Sequence, residues 1–169
     1  AALFGVAGSV VALLGFFIPG IARRLCAQRS ALFNLLFNGV LILIGLVGMS
    51  LVWPKVGVLP ALVLFSSLYF VGFFLSHYLN RAASSERRAT VLSFKGLFLN
   101  LGYGRIGILY SLLLAGLRGQ ITSGPETIAG EVVKNIVFID SLPWFGWYFT
   151  ICLTVLLLLF AKSLRSKIL

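Results

Sequence analysis

The sequence predicts an all-α polytopic membrane protein with five transmembrane helices. Hydrophobic residues make up 60% of its 169 positions and charged residues only 11%, beyond the roughly 45 to 50% apolar content of a soluble domain. The apolar residues gather into five runs, each close to the ~20 residues that cross a hydrocarbon core. In lipid every backbone polar group must be satisfied internally, which leaves helices or closed barrels. The runs lack the alternation of barrel strands, so they are read as helices.

The first run extends from Ala1 to Ile21. It starts apolar, without a charged leader or cleavage site, so it is not a signal peptide. A start without methionine suggests a chain cut from inside a longer protein. Ala1, Gly5 and Ser9 recur at four-residue steps, with Gly15, Pro19 and Gly20 at the end, and this is expected to be a close-packing face. The second run spans Leu32 to Trp53, with Asn34 and Asn38 one turn apart. These amides are expected to tie helices together. The third spans Val56 to Tyr78 and ends with His77, the sole histidine. With no Cys, Asp or Glu at ligand spacing, that histidine cannot build a metal site. An interfacial hydrogen bond is its default role, a proton relay the alternative.

The fourth run, about Val91 to Leu117, holds Arg105 near its middle. A central arginine costs about 2.5 to 3.5 kcal/mol on insertion scales, so such residues face a bundle interior or a water-filled cavity. The acids are Glu86, Glu126, Glu131 and Asp140, all in segments read as loops. The counter-charge of Arg105 is therefore expected outside this sequence. Ser93, Gly96, Asn100, Tyr103, Gly107 and Tyr110 recur at steps of three and four, forming one small, polar stripe. It is either a substrate-facing wall or a seam where helices approach closely. Arg105 projects from another face, with Phe98, Leu101, Ile108 and Leu112. Either Gly102 and Gly104 distort the helix, or Arg105 points to a neighbour or cavity outside the chain. Lys95 can snorkel to the interface.

The fifth run covers Leu142 to Ala161, after a long segment from Arg118 to Ser141. Within that segment Ser123-Gly124-Pro125-Glu126 reads as a helix start. Ile128, Val132, Val133, Ile136 and Val137 follow at helical spacing, which predicts an outer loop holding a short interfacial helix or an ordinary amphipathic connector.

Orientation follows from the basic residues. Arg23, Arg24, Arg29, Arg81, Arg87, Arg88, Lys95, Lys162, Arg165 and Lys167 share one side, and Lys55, Arg118 and Lys134 the other. The larger set is cytoplasmic by the positive-inside rule, which places the C-terminus there in a plasma or inner membrane. Trp53, Trp144 and Trp147 then fall at the outer interface, where amphipathic rings prefer to sit. The formal charge of +10 is scattered over short segments, so anionic lipid head groups and not nucleic acid are its expected counter-ions. Cys26 and Cys152 lie at different depths and should not pair. One histidine and four loop acids supply neither a hydrolytic triad nor a metalloprotease site; no enzyme activity, cofactor or metal is expected.

Two loops carry a family likeness. The segment from Gly20 to Arg29, Gly-Ile-Ala-Arg-Arg-Leu-Cys-Ala-Gln-Arg, resembles the Gly-x-x-x-Asp-Arg-x-Gly-Arg-Arg loop of major facilitator superfamily transporters, as repeated between their eighth and ninth helices. Gly20, Arg24 and Arg29 match, while the aspartate is Arg23 here and the second glycine Ala27. Glu86-Arg87-Arg88-Ala89-Thr90-Val91-Leu92-Ser93, followed by Leu101-Gly102 and Ile106-Gly107, is similar to that family's loop and glycine-rich helix from its tenth to eleventh helices. The resemblance implies helices eight to twelve of a twelve-helix secondary transporter working by alternating access. Its site would lie between two halves, near the midplane. It also implies that Arg105, Asn100, Tyr103 and Tyr110 contact solute or ion and that Arg24, Arg29 and Arg88 form a cytoplasmic gate, while Arg105, without a counter-charge in the chain, points to a small anionic or amphiphilic solute. The expected partners are the bilayer, the solute, and the missing N-terminal half or another membrane subunit. The alternative is a non-transporting, facilitator-like subunit with a structural or assembly role.

Overall fold

The structure, a computed structural model, describes residues 2 to 52, 56 to 122 and 130 to 165. Five long helices form: α1 (Ala2–Gln28), α2 (Ala31–Ser50), α3 (Val58–Ala82), α4 (Arg88–Thr122) and α5 (Gly130–Arg165), with a 3-10 turn at Ser85–Arg87. All five are long and apolar enough to cross a membrane. The chain divides into two compact units, one of residues 1 to 78 and 144 to 169, the other of residues 79 to 143.

The helices outrun the apolar segments. α1 continues through Arg23, Arg24 and Cys26 to Gln28, so the expected loop shrinks to Arg29 and Ser30. The run after Gly20 is made largely of helix formers, and Ala22, Leu25 and Cys26 belong to the core of the first unit. α2 then starts at a cap: the Ser30 hydroxyl accepts from the Phe33 amide at 3.2 Å, satisfying one of the orphan donors of the first turn. It ends before Val52, whose φ of 46° is left-handed, a conformation β-branched residues seldom adopt.

The expected outer loop from 118 to 141 is also corrected. Residues up to 122 complete α4, and the amphipathic stretch from Gly130 onward is the first part of α5, not a separate interfacial helix. Pro143 sits inside α5 without ending it, since it removes one backbone bond where 35 other residues propagate the helix. At 36 residues α5 is roughly 54 Å long, against a hydrocarbon core of ~30 Å. Polar Glu131, Lys134, Asn135 and Asp140 all fall in roughly its first three turns. The helix start expected at Ser123 to Glu126, together with Trp53, Lys55, Glu126 and Ile128, lies outside the described residues.

In the first unit, α1, α2 and α3 meet around Ile18, Ala22, Phe70 and Phe74, with Leu14, Phe37, Leu41 and Phe73 packed against them. Ile18 and Ala22, like Phe70 and Phe74, are four apart and share a face. The Phe37 ring meets Phe70 edge-on at a centroid distance of 5.4 Å, a favoured aromatic geometry. Glycines set the close approaches. A Cβ at Gly45 would come within 2.6 Å of Leu64, one at Gly48 within 2.9 Å of Pro60, one at Gly15 within 3.1 Å of the Tyr69 ring and one at Gly39 within 3.2 Å of Leu153. Of the close-packing face expected on α1, Gly15 comes close to Tyr69, whereas Gly5, Ser9 and Gly20 are exposed and the Ser9 hydroxyl turns back to the Gly5 carbonyl at 3.0 Å. α1 packs through Ile18 and Ala22 instead, where its bulk meets the phenylalanines of α3.

Candidate functional site

α4 carries the residues singled out as a pathway, and it is the least covered helix. From Arg88 to Ile121 none of its side chains is buried. Added Cβ atoms at Gly96, Gly102, Gly104, Gly107, Gly116 and Gly119 would meet nothing within 4 Å. Interior glycine costs helix stability of about 1 kcal/mol relative to alanine, so Gly96, Gly102, Gly104, Gly107 and Gly116 are a sustained local cost that no side-chain packing at their Cα positions offsets among the described residues.

The helix runs unbroken in α conformation through Gly102 and Gly104, and no glycine among the described residues has positive φ. The local distortion considered from the sequence does not occur. With 3.6 residues per turn, Arg105 therefore stands about 140° around the helix from both Asn100 and Tyr110. The four residues do not converge on one wall. Arg105 is exposed, as are its face-mates Phe98 (69%), Leu101 (57%), Ile108 (65%) and Leu112 (65%). Among the described residues it forms no hydrogen bond or ion pair. One guanidinium thus projects from an apolar wall.

The polar stripe behaves differently at its two ends. Asn100 and Tyr103 are exposed. Tyr110 is half-buried, and its hydroxyl lies 3.5 Å from the fully buried Ser141 hydroxyl of α5, while Ser141 also donates to the Phe138 carbonyl at 2.7 Å. That end ties α4 to α5. Sequence reading missed Ser141. Its four-residue spacing with the buried Val133 and Val137 is the available signal, hidden because the stretch lies outside the fifth apolar run.

Of the three arginines assigned to a gate, Arg24 stands on the last turns of α1, Arg29 in the bend after it and Arg88 at the start of α4; all are exposed. The Arg29 guanidinium lies over the Phe33 ring, 5.2 Å from its centroid.

Asn34 and Asn38 are buried at 0% and 3% exposure. Asn34 donates through Nδ2 to the Tyr78 hydroxyl at 2.7 Å, joining α2 to α3 as a helix-tying amide should. Its neighbour His77 stacks on Phe73 at 6.2 Å and meets Tyr78 edge-on at 5.3 Å. Interhelical hydrogen bonds in membrane proteins average roughly 0.6 kcal/mol and reach about 1.7. Tyr78→Phe is expected to lose stability in that range in detergent denaturation with helix content unchanged; a loss near zero would mean the amide finds another partner.

No cluster of three or more His, Cys, Asp or Glu side chains able to hold a metal occurs among the described residues. Cys26 and Cys152 are both free thiols. Compared with known protein families, curated proteins and solved structures, the chain finds no match.

Proposed function

We propose that this chain is part of a secondary active transporter of the major facilitator type, working by alternating access on a small amphiphilic anion. One observation carries the reading: a helix long enough to span the membrane has no buried side chain from Arg88 to Ile121 and bears at mid-helix an arginine without a partner among the described residues. Such a charge is retained where it meets water, an acid or a solute. The wall around it, Phe98, Leu101, Ile108 and Leu112, is apolar, so a solute with an anionic head and an apolar body suits both features. In this reading Arg105 binds the anionic group, and the face of Asn100, Tyr103, Gly96 and Gly107 receives a helix of the partner half, whose backbone can come close over glycines. Tyr110 contributes to the helix tie and not to solute contact. Arg24, Arg29 and Arg88 belong to the cytoplasmic ends of the helices, where they gate by rearranging as the halves rock. The coupling ion is bound elsewhere, because the acids of this chain lie at residues 86, 126, 131 and 140, outside the apolar runs.

The bareness of α4 also favours a second reading, a facilitator-like subunit that contacts an acid-bearing helix of another protein and transports nothing. The intact mass of the polypeptide in its native membrane separates the two. A transporter is expected to weigh well over twice the 18.4 kDa of this sequence. A mass near 18.4 kDa would overturn the transporter reading and leave the subunit.

A further inference from the structure

The first unit contains no acidic residue. All four carboxylates of the chain, Glu86, Glu126, Glu131 and Asp140, belong to the second, residues 79 to 143. The arginines at the corner between α1 and α2, Arg23, Arg24 and Arg29, are exposed and have no anion in their own unit to face. This differs from the start of α4, where Glu86 adjoins Arg87 and Arg88.

Arg29 has an aromatic partner. Its guanidinium lies 5.2 Å from the centroid of the Phe33 ring, within the ~6 Å range of cation–π attraction. From that ring an apolar ridge descends α2: Phe33, Leu36, Val40 and Ile44 are all exposed, the last two by more than half (54% and 55%). Their steps of three and four residues place them on one face. From Phe33 to Ile44 the ridge measures roughly 16 Å along the axis, half of a ~30 Å hydrocarbon core. It is one leaflet deep, with a fixed positive charge at the level where that leaflet ends.

We infer that the α1–α2 corner binds an anionic phospholipid, its phosphate on Arg29 with support from Arg23 and Arg24, and one acyl chain along Phe33, Leu36, Val40 and Ile44. The charge selects the head group, and the ridge supplies van der Waals contact over the depth of one chain. A soluble phosphate would use the arginines and leave the ridge idle. The inference rests on the helices crossing a membrane and not on the transporter reading; because Arg24 and Arg29 are shared with the gate of that reading, the readout is retained lipid and not transport.

The test is lipid retention by the full chain. The protein is reconstituted in a bilayer of phosphatidylglycerol and phosphatidylcholine with matched acyl chains, purified, and its retained lipid measured by mass spectrometry. Phosphatidylglycerol is expected to be enriched several-fold over its share in the bilayer. Each basic side chain near an anionic surface contributes about fivefold in affinity, so Arg29→Gln should bring the enrichment down by about that factor. Phe33→Leu, which keeps charge and apolarity and removes the ring, should lower it at least twofold. Lys134→Gln on α5 should leave it unchanged, and excess glycerol 3-phosphate should not displace the lipid. Circular dichroism of each variant separates lost binding from lost fold. No enrichment in the parent chain, equal losses in Arg29→Gln and Lys134→Gln, an unaffected Phe33→Leu, or displacement by glycerol 3-phosphate would each overturn the site.

Discussion

Gly45→Ala is expected to destabilise the helix bundle by about 1 to 3 kcal/mol, the usual cost of forcing extra carbon into a packed interior. The new Cβ would lie 2.6 Å from both Cγ and Cδ2 of Leu64 and 3.3 Å from the Pro60 carbonyl oxygen. Leu64 could swing aside, but Pro60 is backbone in the first turn of α3 and can yield only if the helix moves. Gly48, one turn further, faces Pro60 at 2.9 Å, so α2 and α3 touch along a seam that a single leucine rotamer cannot reopen. Gly107→Ala on α4 provides the contrast. Its Cβ meets nothing within 4 Å, so the exchange should stabilise the isolated chain by up to about 1 kcal/mol through helix propensity. Opposite signs in detergent unfolding are the expected result. Equal losses at both positions would mean that α4 is packed where the structure leaves it open.

Arg105→Leu is expected to weaken solute binding by one to two orders of magnitude while making the protein easier to insert and no less stable. The reason is that two contributions of opposite sign meet at this side chain. Burying a guanidinium at mid-membrane costs about 2.5 to 3.5 kcal/mol on insertion scales, and leucine relieves it. A hydrogen bond to a charged group contributes about 1.5 to 3 kcal/mol, so losing the contact to an anionic solute should weaken binding by roughly 10- to 100-fold. A structural ion pair predicts otherwise. If Arg105 neutralised an acid of a neighbouring subunit, removing it would leave that acid buried and unpaired, destabilising by about 3 to 5 kcal/mol. Arg105→Lys should recover part of the binding, because charge is retained while the planar, bidentate fork is lost.

Much of the fold was legible in the sequence, and the parts that were not share a cause. Apolar length identified five helices, but it registers only the stretch inside hydrocarbon. Arg23, Arg24 and the segment from Gly130 to Ser141 continue helices beyond the apolar runs, where intrinsic propensity and tertiary contact replace hydropathy as the signal. The separation of Arg105 from the polar stripe was legible too, since helical periodicity alone fixes it once α4 is continuous. The partner of Asn34 was not. Tyr78 lies 44 residues away, and the sequence could say only that a buried amide must bond to something. The same limit applies to glycine: Gly45 and Gly104 look alike in the sequence, yet one faces Leu64 and Pro60 and the other open space. For the candidate site, the residue types and the face of Arg105 were readable, while the placement of Tyr110 against Ser141 depended on how α5 extends beyond its apolar run.

Thiol accessibility tests directly, without knowledge of the solute, whether the face of Arg105 borders a water-filled pathway. Cys26 and Cys152 are replaced by serine, and Arg105→Cys, Leu101→Cys and Ile108→Cys are introduced singly in the complete protein in its native membrane. Each is then treated with a membrane-impermeant, charged thiol reagent. The pathway account predicts labelling at all three positions. Protection at all three, with labelling preserved at a control in the exposed bend such as Ser30→Cys, would place this face in lipid or against another protein and contradict it.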